Sequence, residues 1–546
     1  MVRNVLIYRQ IIRTVSQHIQ GAGKMTYLTV PIAAADFEQA KRQIKAALRA
    51  GAEMLELRSD YLENLNLSLV EKLIAEIKRA SRPLPVIVTC RDYQQGGARQ
   101  YPHRMRVTVL TAALKAGAEF IDFEYENFFD AQNQEKIRRA LAESSKGRLI
   151  LSAHNFESRF DDIGKLYRHI MTLHPAAIPK LIYKANHIND CFDALDLLRR
   201  TGGERIVFCM GEAGIISRII AKKLGAFLTF ASIDNKSTTA PGQLTVKQFK
   251  KLYRYDAINA DTKLYGIIGS PIAHSLSQAV LNASFAKAKL NKLYLPLHVE
   301  GGKEEFEQFM RNVLGRSWLN FRGFSVTIPH KQNAFEYVRA QGGFIEPLAE
   351  RIGAVNTLLA NADGALSAYN TDYSGALDAI KSKLSTPKRK IELKDLPVAI
   401  VGAGGAARAI VAGLRDAGAK ITIYNRTIER GKKLASEFNC DFAPLTALQN
   451  LSAKLLINCT SIGMYPDTNA TPVPKKCLKK PMAVFDTVYN PRETLLLKHA
   501  KEKKLKRIEG LSMFINQAAA QFKLFTGKKI DTKLMRKTIV EKLSSR

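Results

Sequence analysis

The first half of the chain alternates short β-rich runs with amphipathic helical stretches, and this alternation limits the folds open to it. Eight β-rich runs can be counted from Met25 to Asp234, the first being MTYLTVPIA and the last FLTFASID. Helical patterns separate them, such as IISRIIAKKLGA, in which apolar residues recur at three- and four-residue spacing. Eight strands, each followed by a helix, predict a (β/α)8 TIM barrel, with an open doubly wound sheet as the alternative.

The length of the chain requires more than one domain, because 546 residues exceed what a single hydrophobic core holds. With 46% hydrophobic and 24% charged residues, the composition is typical of a soluble globular protein. No apolar run reaches the ~18 residues of a membrane span, so no membrane partner is expected. The 6 cysteines are scattered without a C-x-x-C pair. This favours reduced thiols in the cytoplasm and predicts no metal site.

The net charge of +33 raises the question of nucleic-acid binding. The lysines are spread over many helical faces, and the densest runs, KSKLSTPKRK and KHAKEKKLKR, carry no interleaved aromatic residues. Solvated basic faces that attract anionic substrates are therefore the favoured interpretation, and nucleic-acid binding is the alternative.

Residues 1–24 are interpreted as a disordered extension outside the fold. The chain carries Arg3, Arg9 and Arg13 but no acidic residue before Asp36. This composition is also typical of an organellar transit peptide, so organellar import is the alternative to a cytoplasmic location.

Polar side chains follow the predicted barrel strands at their C-terminal ends, where the catalytic groups of such barrels collect. They are Glu56, Arg58, Arg91, His154, Lys180, Lys184, Arg218, Thr239 and Gln243. Three arginines at one barrel mouth indicate a carboxylate ligand, because guanidinium groups pair with carboxylates bidentately. A buried lysine beside a histidine indicates Schiff-base chemistry, since burial favours the neutral amine that attacks a ketone.

Several motifs of this half resemble type I 3-dehydroquinate dehydratase over residues 25–253. They are ELR at Glu56, QGG after Arg91, SAHNF around His154, IPKL around Lys180, MGEAGIISR and APGQ. The resemblance implies that Lys180, rather than Lys184, is the Schiff-base amine and that His154 is the general acid and base. It implies substrate contacts for Glu56, Arg58, Arg91, Arg218, Thr239 and Gln243.

Gln95 departs from this family's pattern, which usually has a glutamate at that position. A glutamine accepts a hydrogen bond but cannot stabilise an imidazolium by charge. A weak or inactive dehydratase half is therefore an alternative.

A glycine turn in VAIVGAGGAARAIVAGL predicts a dinucleotide site in the second half. Gly402, Gly404 and Ala407 supply the G-x-G-x-x-A spacing between a strand and a helix. The next strand, KITIYNRT, ends in Arg426, with Arg430 one turn later, where an NAD site would carry an acid. Positive charge there accommodates a 2′-phosphate, so the sequence predicts NADP.

Further motifs resemble shikimate dehydrogenase over residues 262–546, after a predicted linker at 254–263. They are SPIAHSLSQ, GFSVTIPHK, GAVNTLL, YNTDYSG, NCTSIGM, FDTVYNP and EGLSMFINQAA. The resemblance implies a substrate-binding domain at 264–373. It also implies a Rossmann NADP-binding domain at 374–546 whose C-terminal helices return to the substrate domain.

The same resemblance implies that Lys331 and Asp372 form the catalytic pair. Substrate contacts are implied for Ser275, Ser277, Thr327, Asn356, Tyr489 and Gln517. Cofactor contacts are implied for Gly402, Ala403, Gly404, Gly405, Ala406, Asn425, Arg426, Thr427, Arg430, Thr487 and Gly510.

Together the two resemblances imply a bifunctional enzyme of the shikimate pathway, which leads to chorismate and the aromatic amino acids. It would dehydrate 3-dehydroquinate to 3-dehydroshikimate through a lysine Schiff base, then reduce that product to shikimate with NADPH. One alternative is that only a shikimate or quinate dehydrogenase is active, and another is a basic nucleic-acid-binding protein.

Overall fold

The computed structural model describes residues 26–200, 202–235, 238–272, 275–361, 363–386 and 390–544. The predicted extension at 1–24 lies outside these residues. The chain divides into two compact units, with the boundary between Thr262 and Lys263.

The first unit contains eight parallel strands whose hydrogen-bonded order is β7-β6-β5-β4-β3-β2-β1-β8. The strands are β1 Tyr27–Ile32, β2 Met54–Arg58, β3 Val86–Thr89, β4 Phe120–Glu124, β5 Arg148–Asn155, β6 Ile178–Lys184, β7 Ile206–Met210 and β8 Leu228–Phe230. β8 pairs with β1, and side chains from all eight strands meet in one buried cluster, so the sheet curls into a near-closed barrel. The predicted (β/α)8 barrel is confirmed, and the open sheet is excluded.

Among the described residues of the first unit, seven α-helices accompany these strands. They are α1 Phe37–Ala50, α2 Leu67–Lys78, α3 His103–Lys115, α4 Ala131–Glu143, α5 Ile163–Leu173, α6 Cys191–Arg200 and α7 Ile215–Ile219. Helix α1 shows how the sequence sets their limits: Asp36 accepts a hydrogen bond from the Gln39 amide at 2.8 Å. Gly51 ends the helix with φ of 93°, a conformation that glycine adopts without steric cost.

The segment predicted as a linker, 254–263, is partly folded onto the first unit. It contains the short 3-10 helix Tyr255–Ala257. Tyr255 is fully buried, and its hydroxyl donates to the backbone oxygen of Thr26 at 2.6 Å. The predicted domain limits remain predictions.

The second unit begins with a mixed six-stranded sheet of order β10-β9-β11-β13-β14-β12. Its strands are β9 Lys263–Gly269, β10 Lys292–His298, β11 Phe321–Val326, β12 Phe344–Ile345, β13 Thr357–Ala360 and β14 Leu366–Tyr369. Its helices are α8 Ser277–Lys287, α9 Lys303–Leu314, α10 Lys331–Ala340 and α11 Pro347–Ile352, and α12 Asp372–Leu384 leads to the next sheet.

A parallel six-stranded sheet follows, with the order β17-β16-β15-β18-β19-β20. Its strands are β15 Pro397–Val401, β16 Lys420–Asn425, β17 Asp441–Pro444, β18 Leu455–Asn458, β19 Ala483–Asp486 and β20 Lys506–Glu509. Its helices are α13 Gly405–Asp416, α14 Ile428–Glu437 and α15 Leu495–Glu502. This strand order, with the first strand central, is that of a Rossmann fold.

Two helices follow β20. Helix α16 Gly510–Thr526 packs against the first sheet of the second unit, and α17 Thr532–Ser544 packs against α8 and α16. Phe522 and Phe525 of α16 join Tyr265 and Phe285 in one buried cluster. Helix α16 therefore returns to the sheet with which this unit begins.

Candidate active sites

The barrel cavity lies at the C-terminal ends of the strands and measures about 550 Å³. It is lined by every residue predicted to act in this half, namely Glu56, Arg58, Arg91, His154, Lys180, Arg218, Thr239 and Gln243, and by Gln95. Ser237, three residues before the APGQ motif, lies outside the described residues.

The structure separates the two candidate lysines of β6. Lys180 is 4% exposed, and its Nζ lies 2.6 Å from Asp122 Oδ2 and 3.6 Å from Glu56 Oε1. Lys184 is exposed at the end of the strand, and it is not among the residues that line the cavity. Lys180 is therefore the lysine that a substrate inside the barrel would meet.

The three predicted arginines differ in their partners. Arg58 pairs with Asp60 through two hydrogen bonds of 2.9 and 2.7 Å. Arg91 pairs with Asp122 and Glu124, each at 2.8 Å. The expectation that all three arginines await a substrate carboxylate is therefore too broad, because two of them already hold carboxylates of the chain.

Arg218 is the arginine of this set for which no described residue supplies a carboxylate. Its side chain is almost fully buried, its Nε donates to the Cys209 backbone oxygen at 3.2 Å, and its guanidinium lies 4.3 Å from the Phe208 ring centroid. Burial lowers the pKa of Arg218 to about 10. A buried cation without an anion favours a negatively charged ligand in the cavity.

Sequence reasoning missed the two acids of β4, Asp122 and Glu124. Burial alone would raise the pKa of Asp122, but the positive charges of Arg91 and Lys180 hold it well below its usual range. The signal was present in FIDFE, because acids inside a strand that is buried on both faces require partners.

His154 lies beside Gln95 in the cavity, with 3.2 Å between His154 Nδ1 and Gln95 Oε1. Burial, then the charges of Arg91 and Lys180, lower the pKa of His154 well below 6.5. The imidazole is therefore neutral at pH 7 and able to accept a proton.

The lowered His154 pKa predicts the acid side of the dehydratase pH profile. The neutral base is present above pH 6.5 and persists until the pH reaches the lowered pKa of the folded protein. We expect kcat/KM to stay level from about pH 7.5 to about pH 6, where an ordinary histidine would already be losing activity. Rate measurements across this range test it, and a fall centred near the ordinary histidine pKa would contradict it. Substitution Gln95→Glu should move the acid limb to higher pH, because a carboxylate stabilises the imidazolium.

In the second unit, Lys331 and Asp372 meet as an ion pair. Lys331 begins α10 and Asp372 begins α12, so the two helix starts bring together residues that are far apart in sequence. Both side chains line a cavity of about 640 Å³. Lys331 also borders a neighbouring cavity of about 1060 Å³.

Five of the six predicted substrate contacts line these cavities. They are Ser275, Ser277, Thr327, Tyr489 and Gln517. The sixth, Asn356, is buried behind them, where its Nδ2 donates to Thr371 Oγ1 at 3.0 Å and to Gln517 Oε1 at 3.3 Å. Asn356 thus contacts the cavity through Gln517, which is one of its lining residues.

The glycine turn after β15 fits a dinucleotide. Gly402 has φ of 111°, and a Cβ on it would lie 3.1 Å from Thr460 Cγ2. Gly404 precedes α13, and a Cβ there would meet open space, which leaves room for a pyrophosphate at the helix N-terminus. A Cβ on Gly405 would lie 2.9 Å from Lys331 Cδ. A side chain at Gly405 would therefore press on Lys331, which is a reason for this glycine that the motif alone does not give.

The end of β16 carries the residues predicted to contact the 2′-phosphate. Arg426 and Arg430 are exposed, and neither has a carboxylate partner among the described residues. Asn425 Nδ2 donates to the Thr427 backbone oxygen at 2.7 Å. Unpaired arginines beyond the second Rossmann strand fit a cofactor that carries an additional phosphate.

The other predicted cofactor residues are divided between the turn and the cavity. Ala403 is partly buried in the turn, while Ala406 and Thr487 line both cavities. Gly510 lines the smaller cavity, and a Cβ on it would lie 2.5 Å from the Thr487 backbone oxygen.

Comparison with known proteins gives the family. Four family models match: type I 3-dehydroquinase at 28–260, shikimate dehydrogenase substrate binding domain at 267–358, shikimate/quinate 5-dehydrogenase at 385–502 and shikimate 5′-dehydrogenase C-terminal domain at 510–540. The chain is 35% identical over 516 residues to the chloroplastic bifunctional 3-dehydroquinate dehydratase/shikimate dehydrogenase of Arabidopsis thaliana, covering 92% of this chain and 82% of that protein. The chain belongs to the bifunctional 3-dehydroquinate dehydratase/shikimate dehydrogenase family.

Other relatives match the shikimate dehydrogenase half alone. The shikimate dehydrogenase (NADP(+)) of Caldanaerobacter subterraneus is 37% identical over 282 residues, covering 50% of this chain and 95% of that protein. The crystal structure of Thermus thermophilus shikimate 5-dehydrogenase in complex with NADP(H) and shikimate is 34% identical, covers 52% of this chain and 100% of that chain, and gives a TM-score of 0.45.

Membership of the bifunctional family confirms the prediction of a shikimate-pathway enzyme that joins a lyase to an oxidoreductase. Within the described ranges, no group of three or more His, Cys, Asp or Glu residues is arranged to hold a metal. No helix in the same ranges is long and apolar enough to cross a membrane.

Proposed function

We propose that the two sites of this chain catalyse consecutive reactions, with the product of the barrel as the substrate of the second unit. The barrel dehydrates 3-dehydroquinate to 3-dehydroshikimate, and the second unit reduces 3-dehydroshikimate to shikimate with NADPH. The observation that carries the proposal is the barrel cavity, where a buried lysine and a neutral histidine meet an arginine to which no described residue supplies a carboxylate.

Lys180 is the proposed nucleophile of the dehydration. Its Nζ attacks the ketone carbon of the substrate, and a water leaves as the imine forms. Asp122 Oδ2 holds the Lys180 Nζ at 2.6 Å. The amine must be free of its extra proton to attack, and neutral His154, which lines the same cavity, is placed to accept that proton. Arg218 supplies the positive charge that would hold the substrate carboxylate.

His154 is the proposed acid and base of the elimination. The imine withdraws electrons, so His154 can take a proton from the adjacent carbon. The same imidazole then returns a proton to the hydroxyl group that leaves as water. Hydrolysis of the imine consumes the water released earlier and frees the amine, and the net change is the loss of one water.

Lys331 is the proposed proton donor in the reduction. Bound NADPH supplies the hydride to the carbonyl carbon. Negative charge then develops on the carbonyl oxygen, and the Lys331 ammonium stabilises it and donates a proton. Asp372, paired with Lys331, keeps that ammonium oriented in the cavity.

The unpaired arginines after β16 predict cofactor preference. Replacing Arg426 and Arg430 together with glutamine should weaken NADPH binding strongly and NADH binding little, since each charge-assisted hydrogen bond contributes roughly 1.5–3 kcal/mol. Titration of each variant with both cofactors measures the difference. Substitution of Lys432 and Lys433, which are exposed on α14 with Arg430, removes equal charge as a control. Equal losses for NADPH and NADH would show that neither arginine reads the phosphate.

One coupled assay tests both reactions. Given 3-dehydroquinate and NADPH, the chain should first raise the absorbance of the conjugated enone and then lower that of NADPH. If the chain oxidises NADPH with added 3-dehydroshikimate but not with 3-dehydroquinate, the barrel is inactive. Competition between shikimate and quinate then decides the preferred substrate of the second unit.

A separate experiment tests the alternative based on the net charge of +33. A salt-dependent shift of labelled nucleic acid would support that alternative.

The cytoplasm is the proposed location, supported by the absence of disulfides among the described residues, where all six cysteines are free. The Arabidopsis relative is named chloroplastic, which favours organellar import as the alternative. Imaging of the full chain with a C-terminal tag would distinguish them.

A further inference from the structure

Two consecutive hydrogen bonds connect the catalytic imidazole of His154 to Glu126. Gln95 Oε1 lies 3.2 Å from His154 Nδ1, and Gln95 Nε2 donates to Glu126 Oε2 at 3.1 Å. Gln95 lines the barrel cavity, whereas Glu126 is exposed at the start of the 3-10 helix Glu126–Phe129, just after β4. The reaction described above gives Glu126 no part.

The two ends of a glutamine side chain are chemically different, so its orientation decides what His154 can do. With Oε1 toward the ring, Gln95 accepts a hydrogen bond, and Nδ1 must carry the proton of the neutral imidazole. With the amide reversed, NH₂ would face Nδ1, and the proton would move to Nε2. The second tautomer would leave no lone pair at Nε2 for a substrate in the cavity.

Glu126 distinguishes between these two orientations. Its carboxylate accepts a hydrogen bond from Gln95 Nε2 in the orientation observed. Reversal would set the Gln95 oxygen against the Glu126 carboxylate, and two acceptors repel each other. The charged acceptor also polarises the amide, which strengthens the hydrogen bond at its other end.

We infer that Glu126 is a positioning residue of the dehydratase: it holds the Gln95 amide so that His154 stays in the Nδ1–H tautomer with Nε2 free for proton transfer. The inference rests on the proposed dehydratase function. It also explains how a glutamine can serve beside this histidine.

The other charged groups around His154 cannot do this. Arg58, Arg91 and Lys180 disfavour a proton on the ring, and Asp122 opposes them. Asp122 is already held by Lys180 at 2.6 Å and Arg91 at 2.8 Å. Within the described residues, His154 Nδ1 forms its hydrogen bond with Gln95.

A double-mutant cycle tests the inference. Glu126→Ala should lower dehydratase kcat about 3- to 10-fold, the effect of losing one hydrogen bond, and Glu126→Gln should restore most of it because its amide oxygen still accepts. In the Gln95→Glu background, Glu126→Ala should cause no loss, since either oxygen of a carboxylate accepts from Nδ1–H. Glu135→Ala, which removes an exposed acid from α4, should leave the rate unchanged.

The outcomes separate positioning from general stability. If Glu126→Ala lowered the dehydratase kcat equally in the parent and in the Gln95→Glu variant, or in neither, the inference would be overturned. Nitrogen-15 NMR of the labelled histidines gives a second readout that needs no activity, with His154→Gln to assign the signal. The parent protein should show the Nδ1–H tautomer of His154, and the Glu126→Ala variant should show a mixture of the Nδ1–H and Nε2–H tautomers. A parent with this tautomer but no dehydratase rate would refute the proposed function alone, whereas the Nε2–H tautomer in the parent would refute the inference.

Discussion

Replacing Lys180 with methionine is expected to abolish dehydration of 3-dehydroquinate, with a loss of roughly 10⁴-fold or more, while reduction of 3-dehydroshikimate continues at the parent rate. Removing the proposed nucleophile removes the covalent route, and no other described lysine lines the barrel cavity to replace it. Methionine keeps the volume and apolar stem of the side chain. However, it leaves Asp122 without its partner at 2.6 Å, so thermal unfolding of the variant should be measured with its activity.

Lys184→Met is the matched control for this substitution. Lys184 lies on the same strand but is exposed, so its replacement should leave the dehydratase rate unchanged. Borohydride added with 3-dehydroquinate should reduce the imine to a stable amine, and mass spectrometry should locate the adduct on Lys180. An adduct on Lys184, or an active Lys180→Met variant, would assign the nucleophile elsewhere.

The second large effect is expected at Lys331. Lys331→Ala should lower kcat for the reduction by roughly 10²–10⁴-fold, the usual contribution of a positioned acid, with NADPH binding nearly unchanged. The physical reason is that the carbonyl oxygen is more negative in the transition state than in the bound ketone, so the loss falls on the transition state. Steady-state rates together with fluorescence titration of NADPH separate the two effects.

Lys381→Ala serves as the control, because Lys381 is exposed in the last turn of α12, the helix that begins at Asp372. It should leave kcat and KM unchanged. If Lys331 only anchored the substrate, KM would rise while kcat held, since the loss of uniform binding appears in KM alone. That result would remove Lys331 from the catalytic pair.

The periodic parts of the chain were the most accessible to prediction from sequence. The eight barrel strands and the β15, glycine turn and α13 unit follow from local patterns, because strand burial and the φ requirements of glycine act over a few neighbouring residues. The motif residues of the barrel site and of the site in the second unit were also predictable, since parallel strands place their C-terminal ends at one edge.

The pairing of charges could not be predicted. The sequence presents Arg58, Arg91 and Arg218 as equivalent arginines of the barrel mouth, and only the fold shows that Arg218 is the one to which no described residue supplies a carboxylate. Similarly, Lys180 and Lys184 share a strand face, and only the fold shows that Lys180 is buried and Lys184 exposed.

The sequence by itself therefore determined the barrel, the Rossmann unit, the family resemblance and the types of residue at each site, because these depend on composition and on spacing along the chain. The tertiary structure decided which groups touch: Asp122 with Lys180, Gly405 with Lys331, and Glu126 with His154 through Gln95. The reason is physical. Hydrogen bonds and ion pairs act over about 3 Å, and partners that are distant in sequence reach that distance only after the strands and helices have packed.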